Sequence, residues 1–342
     1  MSDAPFVISS AVEKSLSRDI ADYPFGIVLP IDKPYRWTSA DVIRKVKFAA
    51  IKHFRKKNLK VGHAGTLDPL ATGVLLVCIG PACKRAQEFQ DHDKEYVAGI
   101  RFGATTPSYD LEKEVDRTFP YDQVTEEAVR AVLPSFLGTQ EQVAPLFSAK
   151  SVDGVRAYEM ARRLYRNAQK GILDPDFDAA ALETLHHSTI TISEIELLDF
   201  ADSSDVVEAS AVTPRTKIFL PEKRSEKFCP TPCADAPCSE TVSSSVILSD
   251  APSVILSASE ESHSNTASAR IHVADTSALG LPEAHIRIAC SKGTYIRAFA
   301  RDLGEALGTG AHLSSLVRTK TGTFRLEDAL SLEDALALLA ED

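Results

Sequence analysis

Gly62-His63-Ala64-Gly65-Thr66-Leu67-Asp68-Pro69-Leu70-Ala71-Thr72-Gly73 runs directly into the apolar stretch Val74-Leu75-Leu76-Val77-Cys78-Ile79. The stretch reads as a buried strand, and the twelve residues before it as a tight loop. Glycines allow positive φ and let the backbone approach a ligand closely. Pro69 fixes the chain after Asp68 and biases Asp68 toward an extended conformation. An aspartate held rigidly at a sheet edge is what a nucleophile or general base needs. A turn whose aspartate only caps local amides has the same bare pattern, G-x-x-G-x-x-D.

The rest of the chain bounds the reading. Its 342 residues can hold one large domain or two ordinary ones, and 44% hydrophobic with 25% charged residues is a globular composition. No apolar run approaches the roughly 20 residues of a membrane span. Met1-Ser2-Asp3-Ala4-Pro5 lacks the basic-then-apolar pattern of a signal peptide. A cytoplasmic protein is expected.

Net charge is −10, but its distribution matters more. Residues 26–80 carry +7, residues 145–175 carry +3 and residues 281–325 carry +4, which leaves −24 on the remainder. Such separation lets basic surfaces attract phosphate while acidic ones keep the chain soluble. Among six cysteines, Cys78, Cys83 and Cys290 lie in or beside expected strands and read as small hydrophobes. Cys229, Cys233 and Cys238 have no standard zinc spacing and no histidine to complete one.

The full string from Gly62 to Gly73 is similar to the catalytic loop of the TruB family, the tRNA pseudouridine-55 synthases, written G-H-x-G-x-L-D-P-x-A-x-G. Every fixed position of that motif is present. The resemblance implies that Asp68 is the catalytic aspartate and that His63 lies against the target nucleotide.

Other segments fall in the order this family would have. Ile27-Val28-Leu29-Pro30-Ile31 reads as a short edge strand before Asp32-Lys33-Pro34, and Thr38 or Ser39 can cap a helix. In that helix Val42, Val46 and Ala50 share one face, while Lys45, Lys52 and Lys56 make another face basic. Tyr96, Ala98, Ile100 and Phe102 alternate as one face of a half-buried strand. Gly103–Asp110 resembles the family's G-x-x-T-D-T-x-D loop, with Pro107 where an aspartate is usual and Asp110 matching the last acidic position. Residues 123–138 look helical. Pro145–Lys150 resembles the P-x-x-S-A-x-K signature of a mobile thumb that clamps RNA, and a helix from Ala157 with Arg162, Arg163 and Arg166 suits that use.

Residues 201–280 contain sixteen serines and a net charge of −5, a composition that supports little packing. This reads as a disordered insertion at a loop, dispensable for catalysis. Residues 1–25 read as a partly ordered extension. The resemblance resumes near His285-Ile286-Arg287-Ile288 and continues through Cys290-Ser291-Lys292-Gly293-Thr294-Tyr295-Ile296-Arg297, a helix ending near Gly308, and Gly310–Arg318. Ser331 would cap a last short helix. Many family members continue into a small C-terminal RNA-binding domain, and none is recognised in this sequence.

Making pseudouridine breaks the C1′–N1 bond of uridine and rejoins the base through C5. The reaction needs no redox step and no metal, so no cofactor is expected. It does need an ionised carboxylate, and burial would protonate one that has no partner. Arginine suits as that partner because its charge is permanent and its fork bidentate. By resemblance Arg297 pairs with Asp68. Tyr96 packs on the flipped uracil and takes part in proton transfer. Tyr295 and Leu316 line the pocket, and His63 fills the gap left in the RNA. Lys33 and Lys150 complete the expected substrate contacts.

The expectation is an α+β fold: residues 26–342 as one catalytic domain around a central, mostly antiparallel mixed sheet flanked by helices, interrupted by 201–280. The partner is tRNA through its T arm, with no membrane, and the protein is expected to be a monomer. A non-catalytic RNA-binding relative would lack Asp68 or Arg297, and a hydrolase using Asp68 would need a second acid–base group.

Overall fold

The run Thr72–Ile79 is apolar without alternation because it lies in the interior of the sheet, where every residue after Thr72 is buried. The structure is a computed structural model that describes residues 5–8, 16–145, 151–152, 155–156, 187–202 and 271–340. All belong to one of the chain's two units, Met1–Pro214 with Thr266–Asp342. Lys150, the arginine-bearing helix expected from Ala157, and Cys229, Cys233 and Cys238 lie outside the described residues.

The strands in chain order are β1 (Phe6–Val7), β2 (Ile27–Lys33), β3 (Val61–His63), β4 (Thr72–Ile79), β5 (Lys94–Phe102), β6 (Ala104–Thr105), β7 (Arg117–Thr118), β8 (Gly138–Val143), β9 (Ser151–Val152), β10 (Val155–Arg156), β11 (His187–Ala201), β12 (Glu283–Cys290), β13 (Ala311–Thr321) and β14 (Phe324–Arg325). Ten of them form one sheet in the order β1-β2-β4-β13-β5-β12-β11-β8, with β14 on β13 and β3 on β4. Only β1–β2 and β4–β13 pair in parallel, so the sheet is mixed and mostly antiparallel, as expected. Helices flank it: α1 (Ser39–His53), α2 (Ala86–Asp91), α3 (Glu126–Val132), α4 (Ile296–Ala306) and α5 (Leu332–Leu338).

Local signals account for most helix ends. Thr38 accepts from Asp41 N while the Asp41 side chain returns to the Thr38 backbone, a capping box that starts α1. Its buried face is Val42, Val46 and Ala50. Ser331 caps α5 by accepting from Asp334 N. The helix expected over 123–138 is shorter, because α3 ends at Val132 and a 3-10 turn carries Leu133–Phe136. Pro134, which has no N–H to continue the α ladder, sits at that change.

Two boundaries differ from the sequence reading. Ile8 and Leu16, within the extension, are buried in the core. Residues 271–280, the end of the serine-rich segment, are also packed: Ala274 N donates to Leu111 O at 2.8 Å, and Arg101 Nη1 donates to Thr276 Oγ1 at 2.7 Å.

One irregularity of the sheet creates the site. Strand β4 pairs with β3 at Val77–Ile79 but with β13 at Thr72–Gly73. The segment 64–71 loops out where β3 ends and before β13 takes its place.

Candidate active site

The loop between β3 and β4 is tied at each carbonyl from Gly65 to Pro69. Arg318 Nη2 donates to Gly65 O at 3.2 Å and Nη1 to Thr66 O at 3.4 Å. Ser39 Oγ donates to Leu67 O at 3.1 Å and accepts from Leu67 N at 2.9 Å. Ala71 N donates to Asp68 O at 3.1 Å, and Lys33 Nζ donates to Pro69 O at 3.1 Å. A loop held this way places the Asp68 side chain with little freedom, which is how a reactive group is preorganised.

Arg318 also answers a defect in the ladder. Where β3 and β13 diverge on β4, Val74 O takes its hydrogen bond from Arg318 Nε at 2.7 Å. Gly73 lies at φ 100°, and a Cβ there would come 2.2 Å from Arg318 O, so the approach of β13 requires glycine.

Arg297 reaches Asp68 from the first turn of α4. Its Nη2 donates to Asp68 Oδ1 at 3.1 Å and its Nε lies 2.9 Å from Oδ2, a two-point contact. The arginine side chain is 7% exposed and that of Asp68 36%, so the pair has one dry and one open side. Gln142 positions the helix start by accepting from Tyr295 N at 2.9 Å and donating to Tyr295 O at 3.2 Å.

Asp110 stands behind the arginine, its Oδ2 3.7 Å from Arg297 Nε. Its Oδ1 accepts from Ser108 Oγ at 2.6 Å and from Glu112 N at 2.9 Å. Burial pushes its carboxyl up, opposed by Arg297 and the Ser108 hydrogen bond. Burial, with Asp110 and Asp68 nearby, raises Glu112 to about 7. One arginine thus faces three acidic side chains in a cleft walled by Leu70, Ala71, Leu111, Leu313 and Leu316.

The structure therefore brings Asp68, Arg297 and Leu316 together and adds Asp110. Tyr96 of β5 is buried and in register with Arg318 of β13. Burial pushes its phenol up, against the pull of the Arg318 charge. His63 is half-buried at the end of β3, and burial beside the Arg318 cation holds it below its ordinary value. Tyr295 is the half-buried residue preceding α4.

Lys33 needs correction as a substrate contact. It is fully buried, and its Nζ is used by Pro34 O, Trp37 O and Pro69 O at 3.0, 2.6 and 3.1 Å. Burial drops its ammonium to about 7. It braces the Asp68 loop from inside and has no face toward a nucleotide. Arg318 is a site residue that no local motif marks; its place beside the Asp68 loop follows from the pairing of β13 with β4. Burial lifts the Cys78 thiol to about 12 and that of Cys290 to about 11, in keeping with small hydrophobes.

A carboxylate gripped by a buried arginine, in an apolar-walled cleft of a mixed sheet, is suited to chemistry through one positioned acid. A model described as TruB family pseudouridylate synthase (N terminal domain) matches residues 52–172, and one for the tRNA pseudouridylate synthase B C-terminal domain matches 297–342. The described part of the second match is α4, β13, β14 and α5, which are woven into the central unit. The tRNA pseudouridine synthase B of Phocaeicola vulgatus is 39% identical over 308 residues, covering 90% of this chain and 91% of that protein. That of Deinococcus deserti is 35% identical over 308 residues, 90% of this chain and 77% of the other. Among solved structures, a chain of a Cbf5-Nop10-Gar1 complex is 21% identical with a TM-score of 0.47, over 91% of this chain. This chain spans about half of it, 54%. The chain belongs to the TruB family of pseudouridylate synthases, which are isomerases.

Proposed function

We propose that the protein is a tRNA pseudouridine synthase that isomerises the T-loop uridine at position 55. The observation that carries this reading is the two-point contact between Arg297 and Asp68, on a loop whose carbonyls are tied from Gly65 to Pro69. The uridine must leave its stack to meet Asp68. In the reaction the C1′–N1 bond breaks, C5 bonds to C1′, the C5 proton is lost and N1 gains one. Arg297 aims Asp68, Leu316 and Tyr96 wall the base, and Tyr96 serves the proton transfer. His63 takes the space vacated in the RNA loop. The basic exposed side of α1 favours phosphate, and no helix among the described residues is long and apolar enough to cross a membrane. The protein works in the cytoplasm as a monomer.

Asp68→Asn tests this. Tritium release from tRNA labelled at uridine C5 should stop, while tRNA affinity stays within about tenfold, because binding is spread over many phosphates. Release near the wild-type rate would sink the mechanism. Mass-spectrometric mapping of tRNA from a deletion strain should show uridine in place of pseudouridine at position 55; pseudouridine retained there would assign the site to another enzyme.

A further inference from the structure

The loop between β2 and α1 carries three features that the chemistry above does not use. Arg36 has φ 63°, a left-handed conformation that costs a residue with a side chain. Tyr35 is 47% exposed, one of few large hydrophobic side chains left open among the described residues. The Arg36 guanidinium spends only Nη2, on Ile271 O at 2.6 Å, while Nε is shut off from solvent with no acceptor among the described residues.

The loop's position gives these features a use. Lys33 Nζ binds Pro34 O, Trp37 O and Pro69 O, so both ends of the loop are pinned beside the residue that follows Asp68. On its other side the Arg36–Ile271 bond leads to Ala274, whose N–H donates to Leu111 O next to Asp110. The tip therefore stands between the two acidic loops of the cleft. The Tyr35 phenol reports the same place: burial pushes it up, the Arg36 charge pulls it down, and Asp110 pushes it up again.

We propose that Tyr35 and Arg36 form a subsite at the cleft mouth for the nucleotide adjoining the reactive uridine, Tyr35 stacking on its base and Arg36 meeting its phosphate. This rests on the pseudouridine synthase reading and extends it to a second nucleotide. Unstacked bases in RNA loops are held on aromatic faces, and Arg36 Nη1, which has no partner among the described residues and is not shut off as Nε is, suits a phosphate oxygen. The left-handed backbone at Arg36 belongs to a turn that leaves Tyr35 open and Arg36 half-buried beside it. The competing account is a purely structural one, in which Arg36 only staples the chain at Ile271.

Steady-state tritium release from C5-labelled tRNA, with melting temperatures for each variant, separates the two. Tyr35→Ala should raise KM by roughly five- to a hundredfold, the range for losing one base stack, with the effect on KM exceeding that on kcat. Tyr35→Phe keeps the ring and should restore KM. Arg36→Gly removes the charge but adopts φ 63° without strain. It should raise KM and lower the salt dependence of binding by about 0.7 in the log–log slope, one single-strand phosphate, with little change in melting temperature, because relief of the left-handed backbone offsets the lost bond to Ile271 O. Wild-type KM in both Tyr35→Ala and Arg36→Gly would overturn the subsite, as would an Arg36→Gly protein that melts lower yet binds normally. A wild-type protein that releases no tritium would instead remove the functional reading beneath it.

Discussion

Replacing Arg318 with methionine tests whether the Asp68 loop is held from behind. The side chain is fully buried, and its three donors serve Val74 O at 2.7 Å, Gly65 O at 3.2 Å and Thr66 O at 3.4 Å. The last is long and counts for little. The buried Val74 carbonyl and the half-buried Gly65 carbonyl lose their donor, at about 1–3 kcal/mol each. At the middle of that range the two together lose about 4 kcal/mol; methionine fills much of the same volume and the cost of burying a guanidinium is returned, about 1 kcal/mol, so the net loss should be about 3 kcal/mol. At roughly 2–4 °C per kcal/mol for a domain of this size, the melting temperature should fall by about 6–12 °C. The activity loss should be larger than this implies. Below the new melting temperature nearly all molecules are folded, yet Gly65 and Thr66 are untied, and a misplacement of about 1 Å costs on the order of a hundredfold in rate. The assay is single-turnover tritium release at saturating enzyme, alongside differential scanning fluorimetry and hydrogen exchange at the 65–67 amides. A variant that melts within about 2 °C of wild type and turns over normally would refute the view that Arg318 positions the loop.

Arg297→Met removes the two-point contact on Asp68, and the single-turnover rate should fall by about two to three orders of magnitude, the cost of losing a preorganised donor; a rate near wild type would show that Arg297 does not orient the carboxylate. Glu112, raised from 4.5 to about 7, binds more protons folded than unfolded between those values, so its contribution to stability is full below 4.5 and lost as pH rises through about 7. Glu112→Gln should flatten the pH dependence of the melting temperature across that window, and an unchanged slope would assign it to another group. Deleting 205–268 and closing with a short Gly/Ser turn should leave tritium release intact, since the entropy of chain closure changes by only a few kcal/mol with the length of a connection; a folded deletion protein that no longer binds tRNA would make the segment part of the RNA-binding surface.

Much of the site was legible because its chemistry is concentrated in short strings. The loop around Asp68 declares itself through glycine and proline, whose backbone limits are local, and Lys292-Gly293-Thr294-Tyr295-Ile296-Arg297 marks the start of a helix with an arginine in its first turn. The alternation of β12 and the caps Thr38 and Ser331 are likewise set within a few residues, by pleat geometry and by the unpaired amides of a helix start. A rigid carboxylate, an arginine at a helix start, and the rough course of strands and helices are thus local properties of the chain. Which cations are spent inside the fold depends on contacts between elements far apart in the chain. Lys33 and Arg318 look like surface charges in the string. Burial and the carbonyls around them make them internal braces, since a buried cation must find acceptors and the looped-out 64–71 segment offers them. Arg318 has that role because β3 and β13 share β4 without meeting, a mismatch of strand ends that no local pattern records. Residues 271–280 are similar: their composition argues against packing, yet contacts from Arg36, Arg101 and Leu111, distant in sequence, hold them beside the cleft.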